Sequence, residues 1–255
     1  MTFVERLRAA GCVYAEDEAA LLEEAATGDA LEALVQRRLA GEPLEVVLGW
    51  ASFRGLRIAV EAGVFVPRAR TEVLVEQALP LALPAAVVVD LCCGTGAVGA
   101  ALLAASPDIE IWASDIDPVA AACARRNLPA DRVLQGDLFA ALPESLRGRI
   151  DLLVVNAPYV PTDAIALMPP EARDHEPLFT LDGGADGLDL HRRIFDQAPG
   201  WLVPGGTLLI ESSELQSPAS AAALEAAGFA TRIVHSDELD GTAVIGTLRP
   251  IGAES

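Results

Sequence analysis

Three features of this 255-residue sequence predict an α/β fold with a mostly parallel sheet covered on both faces. From residue 86 onward, short continuous apolar runs alternate with helical stretches, the pattern of strands buried on both sides. The first of these runs empties into a glycine-rich turn, DLCCGTGAVG at 90–99, that opens a helix. The composition is 52% hydrophobic but only 5% aromatic, which suits an aliphatic core packed between helices and sheet.

The elements follow in order. Residues 1–48 read as a small helical module, too short for much of a core of its own. LEALVQRRLAG (31–41) places Leu31, Leu34, Val35 and Leu39 on one face, and Gly41 stops it. An earlier helix is expected over 16–26 with Asp17 near its start, and Pro43 ends the module. In WASFRGLRIAVEAGVFV (50–66), Phe53, Leu56, Ile58 and Val60 alternate with polar or small residues, and Gly55 and Gly63 punctuate. That predicts a β-hairpin linker over 49–70. PRARTEVLVEQAL begins a helix with Thr71 as its expected cap, and opens the main domain at 71–255. Strands are expected at 86–91, 109–115, 131–135, 150–156, 206–211, 229–236 and 242–249. Helices are expected at 97–105, 118–127, 187–198 and 218–227. The short link between the last two strands makes the final one antiparallel.

Bulk properties exclude several functions. The most apolar run, LPLALPAAVVV (79–89), is too short to cross a bilayer and is cut by Pro80 and Pro84. The charged N-terminus MTFVERLRAAG does not read as a secretory segment, so a cytoplasmic protein without a membrane partner is expected. Cys12, Cys92, Cys93 and Cys123 lack metal or redox spacing and read as reduced thiols, and no metal site is expected. The formal net charge of −19, from 37 acidic and 18 basic residues, argues against a nucleic-acid substrate and for a basic protein partner, although solubility alone explains much of it.

Gly94, Gly96 and Gly99 spell G-x-G-x-x-G, a weak signal by itself. Such glycines let the backbone approach a ligand that any Cβ would strike. The ligand could be a dinucleotide or S-adenosylmethionine. Asp90, followed by an apolar residue, two more and Gly-x-Gly, fits the second better. Asp115, ending the second strand in ASDIDP, can accept from both ribose hydroxyls. Asp137, in QGDLF, could accept from an adenine amine with Leu138 against the ring. Helix capping is the competing role for these acids, and for Asp117, ahead of Pro118, it is the preferred one.

The fourth strand ends in DLLVVNAPYVP (151–161), which brings Asn156 to the carboxyl edge where ligands of open α/β sheets sit. An amide or exocyclic amine is a poor nucleophile because its lone pair is delocalised. Methylating one requires acceptors that grip its N–H groups and aim the nitrogen, not a strong base. The Asn156 side-chain oxygen and the Ala157 carbonyl can be those acceptors. Pro158 lacks an N–H and holds Ala157 extended, and Tyr159 offers a flat wall. A strand-ending turn is the competing explanation, which the neighbouring glycine loop and Asp115 outweigh.

From about Gly41 to Gly246 the chain resembles the HemK/PrmC-type release-factor glutamine methyltransferases, class I S-adenosylmethionine-dependent enzymes. The resemblance rests on the PRARTE segment, DLCCGTGAVG, ASDIDP, GDLF, Asn-Ala-Pro-Tyr and PPEARDHEPLFTLDGGADGLDLHRRIF (169–195). It implies a Rossmann-like, seven-stranded, mostly parallel sheet. The implied substrate is the glutamine of the Gly-Gly-Gln loop of peptide chain release factors, with the N-terminal module docking that protein. Cofactor contacts would fall on Cys92, Cys93, Gly94, Thr95, Gly96, Asp115 and Leu138 beside Asp137, and Asn156 would touch both cofactor and target. The target amide would lie against Asn156, Ala157, Pro158 and Tyr159. The chain departs from the family pattern at Ala157, where a first proline is usual, at Cys92, where a loop glycine is usual, and in ESSELQ (211–216). A DNA or RNA exocyclic-amine methyltransferase and a non-catalytic S-adenosylmethionine-binding protein remain alternatives, and a nicotinamide dehydrogenase is a distant one.

Overall fold

The computed structural model describes residues 1–168 and 176–250. Four helices, α1 (Phe3–Ala9), α2 (Ala15–Ala25), α3 (Gly28–Leu39) and α4 (Leu44–Leu48), build the N-terminal region. They bury Leu7, Leu22, Leu31, Val35 and Val47 against one another, so the region has more of a core than its length suggested. A carboxylate–guanidinium pair, Glu18 with Arg38 at 2.7 Å, is buried among them. Pro43 does not end this region; it stands at the start of α4.

The hairpin is shorter than the alternation implied. It consists of β1 (Trp50–Phe53) and β2 (Leu56–Ala59), turning at Arg54 and Gly55, both with positive φ, a turn matched to the twist of the strands. Residues beyond Ala59 leave the ladder although Val60, Val64 and Val66 stay buried, because the alternation reports burial on one side and not pairing.

The main sheet runs in the order β5-β4-β3-β6-β7-β9-β8, with β3 (Val87–Leu91), β4 (Glu110–Asp115), β5 (Val133–Gln135), β6 (Ile150–Val155), β7 (Leu202–Ser212), β8 (Phe229–Ser236) and β9 (Gly241–Leu248). The first five are parallel, and β9 is antiparallel to both neighbours, inserted between β7 and β8. Helices α5 (Glu72–Ala78), α6 (Ala97–Ala105) and α7 (Pro118–Ala124) cover one face, and α8 (Asp189–Gln197) and α9 (Ser217–Ala226) the other. Alternation along each strand divides the core: Val88, Leu152 and Leu209 face one layer, Val89, Leu153 and Leu208 the other. Both faces are covered, so both sets are apolar and the strands read as continuous hydrophobic runs.

The chain steps outward from β3 to β4 and β5, then returns to place β6 on the opposite side of β3. Strand order reverses there, and a crevice opens beyond the carboxyl ends of β3 and β6. No helix among the described residues is long and apolar enough to cross a membrane.

Candidate active site

The crevice is a cavity of about 250 Å³ whose wall brings together every residue that sequence reading assigned to a site except Gly96 and Gly99. Two loops face each other across it: residues 92–95 after β3, and residues 156–159 after β6.

The glycine loop is built by backbone geometry. Cys92, Gly94 and Gly96 all adopt positive φ, of 59°, 54° and 75°. Left-handed backbone suits glycine, which explains the usual family residue at position 92; here the same turn carries a cysteine, half-buried and packed on the core. The three glycines have different reasons to be small. A Cβ on Gly94 would meet nothing nearer than Phe65 O at 4.0 Å, so its space belongs to the cavity. A Cβ on Gly96 would strike Leu128 Cδ1 at 2.8 Å, and one on Gly99 would crowd Asp90 Oδ2 at 3.1 Å and Leu128 Cδ1 at 3.2 Å. Gly96 and Gly99 are therefore kept small by the packing of α6, their Cβ positions meeting Leu128 and Asp90. Asn127 braces the loop: its Nδ2 donates to Thr95 O and Ala59 O, and its Oδ1 accepts from Ala59 N–H, joining loop to hairpin.

The carboxylates differ in environment. Asp90 is 2% exposed, and its Oδ2 accepts from Gly99 N–H at 2.8 Å. Burial pushes its carboxyl up to about 7, opposed by that N–H. Asp115 accepts from Gly94 N–H through Oδ2 at 2.8 Å and from Asp117 N–H through Oδ1 at 2.9 Å. Burial raises its carboxyl too, and its backbone donors hold it down. Each Asp115 oxygen retains a second lone pair for a hydroxyl donor. Asp117 caps α7 through Val119 N–H, as expected. Asp137 Oδ2 accepts from Arg193 Nη2 at 2.7 Å, which leaves its remaining lone pairs for an adenine amine; Leu138 is buried at the cavity wall with positive φ.

Strand β6 ends at Val155, which leaves Asn156 just beyond the ladder. Asn156 Nδ2 donates to Thr71 Oγ1 at 3.2 Å. Among the described residues nothing donates to Asn156 Oδ1 or to the Ala157 carbonyl. Tyr159 Oη donates to Glu211 Oε1 at 2.9 Å, and Arg70 Nε donates to the same oxygen at 3.3 Å. Glu211 is 1% exposed, and among the described residues its buried Oε2 has no hydrogen-bond partner. Burial raises the Tyr159 phenol, with the Glu211 charge adding to it. Gln216 Nε2 donates to both Tyr159 O and Asp186 O, and Gly187 packs so closely that a Cβ would meet Tyr159 O at 2.2 Å. The long connection after the signature is thereby fastened behind it. Residues 169–175 of the stretch that carries the resemblance lie outside the described residues.

Sequence reading missed Thr71, Glu211, Arg70, Gln216 and Arg193 as parts of this site. Thr71 was expected to cap α5, but it makes no cap bond and its backbone is already helical. The other four lie in the PRARTE, ESSELQ and 169–195 stretches already singled out, but their side chains carried no local mark of a role. The cavity also holds more basic side chains than the local sequence suggested: Arg70 and Arg193 line it, and Arg68 lies nearby. Each is paired with a carboxylate, on Glu211, Asp137 and Glu176 respectively, so they form no basic groove. Among the described residues no group of side chains could hold a metal ion.

The Methyltransferase small domain family matches residues 55–168. The release factor glutamine methyltransferase of Geobacter sulfurreducens is 42% identical over 188 residues, a match that takes in 71% of this chain and 64% of that relative. The one from Cereibacter sphaeroides is 41% identical over 216 residues, with 82% of this chain and 75% of the relative matched.

The chain belongs to the release factor glutamine methyltransferase family.

A methyltransferase from Pyrococcus furiosus shares the fold, with a TM-score of 0.58 at 14% identity, over 86% of this chain and 98% of that one. As a family member with a class I methyltransferase sheet, the protein uses S-adenosylmethionine as its cofactor. The cavity fits such a group: Gly94 leaves room beside the loop, Asp115 has lone pairs for two hydroxyls, and Leu138 offers an apolar surface. No pyrophosphate is required.

Proposed function

We infer that this protein transfers a methyl group from S-adenosylmethionine to the side-chain amide nitrogen of a glutamine in a peptide chain release factor, in its Gly-Gly-Gln loop. The observation that carries the reading is the pair of acceptors at the β6 tip, Asn156 Oδ1 and the Ala157 carbonyl, to which no described residue donates, on the wall shared with the glycine loop.

When bound, S-adenosylmethionine supplies an electrophilic sulfonium methyl. Gly94 and Asp115 hold the cofactor end of the cavity, with Cys92, Cys93, Thr95, Asp90, Asp137 and Leu138 around it. Asn156 Oδ1 and Ala157 O accept the two N–H hydrogens of the target amide, which fixes its plane and turns its nitrogen toward the methyl. Tyr159, locked by Glu211, forms one wall of the slot, and Pro158 contributes no competing N–H. A methylated target nitrogen would be strongly acidic, so its proton would pass to water and no residue of the chain is needed as a dedicated base. Ala157 in place of proline keeps the carbonyl, the atom this role needs.

Residues 1–48 are assigned the docking of the protein substrate, residues 49–70 the link and residues 71–255 the transfer. The acidic surface suits a basic protein and disfavours DNA or RNA as direct substrate. A cytoplasmic location follows from a substrate of translation.

The test is transfer of labelled methyl from S-adenosylmethionine to a panel of release factors, DNA and RNA, with the modified peptide identified by mass spectrometry. Label on the loop glutamine of a release factor is expected. Label on nucleic acid, or on no release factor, would overturn the assignment.

A further inference from the structure

We propose that Arg70 is a cofactor-binding residue, the guanidinium that takes the carboxylate of S-adenosylmethionine. S-adenosylmethionine carries two positive groups, a sulfonium and an ammonium, and one negative group, the carboxylate at the end far from its adenine. The cavity wall is acidic, with Asp90, Asp115, Asp117 and Asp137 on it. Those side chains suit hydroxyls, amines and cations, and they repel an anion. Among the described residues two cations line the wall, Arg70 and Arg193. Arg193 is bound to Asp137, at the end assigned to the adenine. That leaves Arg70 for the one anion the cofactor brings.

Arg70 is held in place before any ligand arrives. Its backbone lies in a single helical turn over Ala69–Thr71, with Thr71 N–H donating to Arg68 O at 3.0 Å. A Cβ on Gly241, at the start of β9, would meet Arg70 O at 2.3 Å, so the turn packs tightly on the sheet. The side chain is anchored through Nε, which donates to Glu211 Oε1 at 3.3 Å. Glu211 is buried, whereas the Arg70 side chain keeps 44% of its surface exposed. The pair does not use up the guanidinium. Nη1 and Nη2 carry four further N–H groups, and the neighbouring Tyr159 phenol oxygen can accept no more than two of them. The rest are donors for the oxygens of a carboxylate, and a guanidinium cannot act as acceptor, so its part in such a contact has one sense only. The adjacent Thr71 meets Asn156, the residue at which cofactor and target adjoin, which sets Arg70 at the end of the cofactor site away from Asp137.

Decarboxylated S-adenosylmethionine lacks this one group and keeps the sulfonium and the ammonium. Calorimetry of both compounds with the parent and with Arg70→Met forms a cycle that reads binding without turnover. The parent should hold S-adenosylmethionine about 10- to 100-fold more tightly than the decarboxylated compound, the worth of hydrogen bonds to a charged group. Arg70→Met should weaken S-adenosylmethionine about tenfold or more and leave the Kd of the decarboxylated compound within about twofold, so that the preference collapses. Arg70→Lys, a point charge without the fork, should recover part of the preference. Equal affinity of the parent for the two compounds, equal losses for both in Arg70→Met, an unchanged Kd for S-adenosylmethionine, or an effect confined to KM for a release factor would overturn the proposal. Should Arg70→Met fail to fold, Arg70→Gln keeps a donor for Glu211 without the charge, and the same two Kd values decide. Because the readout is cofactor affinity, the two readings separate. A failure here leaves methylation of glutamine standing, and label on nucleic acid in the transfer assay leaves the role of Arg70 standing.

Discussion

At the cofactor half of the cavity, Asp90 and Asp115 are held by backbone N–H groups no more than 21 residues away. At the target half the bonds run between side chains far apart in the chain: Tyr159 to Glu211 across 52 residues, Asn156 to Thr71 across 85, Arg70 to Glu211 across 141. The first half carries the hold on Asp90 and Asp115 within a short motif, because glycine turns and the amide groups they expose come as one piece, while the Asn127 brace and the Asp137–Arg193 pair reach across 68 and 56 residues. The second half is assembled only when β6, β7 and the turn before α5 come together. A substitution in the cofactor half should therefore act locally, and one in the target half should act at a distance.

The largest expected effect tests the target half. Asn156→Ala should lower kcat by about 10²–10³-fold, the usual cost of deleting a group preorganised for a transition state, while thermal stability stays close to that of the parent. Near-normal turnover would remove the acceptor role and leave the comparison without a functional meaning.

Titration contrasts the cofactor half with the packed layer behind the sheet. Burial holds the Asp90 carboxyl up at about 7, above its ordinary 3.8, and holds His191, beside Ser220 between α8 and α9, down at about 4, below its ordinary 6.5. Between about pH 4 and 6.5 the folded chain keeps an Asp90 proton that the unfolded chain has lost, so this group lowers stability as pH rises. Over the same window the unfolded chain carries a histidine proton that folded His191 refuses, so that group raises stability as pH rises. The two contributions oppose each other in the parent. Relative to it, Asp90→Asn should make stability climb more steeply from pH 4.5 to 6.5, and His191→Phe should make it fall, each by about 2–3 kcal/mol over the interval. Denaturant titrations of the ligand-free protein at the two pH values check this, and equal slopes in both variants would break it.

Within the cofactor half, the glycines separate ligand approach from packing. Gly96→Ala meets Leu128 and Ala124 and should cost about 1–3 kcal/mol of stability. Gly94→Ala should cost about 1 kcal/mol through its positive φ alone, yet weaken S-adenosylmethionine binding more than Gly96→Ala does in calorimetry. The reverse order of affinities would mean that the loop is not read by the cofactor as inferred. The smallest effect belongs to Cys92→Gly. Relief of left-handed strain and greater freedom of the unfolded chain offset each other, so the stability change should stay within about 1 kcal/mol.

Much of the fold was legible. Helix α6 and strand β8 fall where periodicity put them, at Ala97–Ala105 and Phe229–Ser236, because each pattern is set by the residues it contains. The ends of α7 and β7 moved, since pairing and packing decide where regular structure stops: β7 starts at Leu202, four residues earlier than its apolar run. The insertion of β9 between β7 and β8 was not legible, because a short link permits antiparallel pairing without saying which strand will be the second neighbour.

The same division runs through the site. Asp90, Asp115, Gly94 and the Asn-Ala-Pro-Tyr tip could be found from sequence, because the chemistry proposed for them demands those residues at the ends of strands. That Gly96 packs against Leu128, that Thr71 meets Asn156, and that one buried Glu211 oxygen carries both Tyr159 and Arg70 was decided by tertiary structure. Backbone conformation is fixed by sterics over a few residues, and a sequence displays it. Contact between side chains 52 to 141 residues apart depends on strand order and register, which no local stretch of the chain contains.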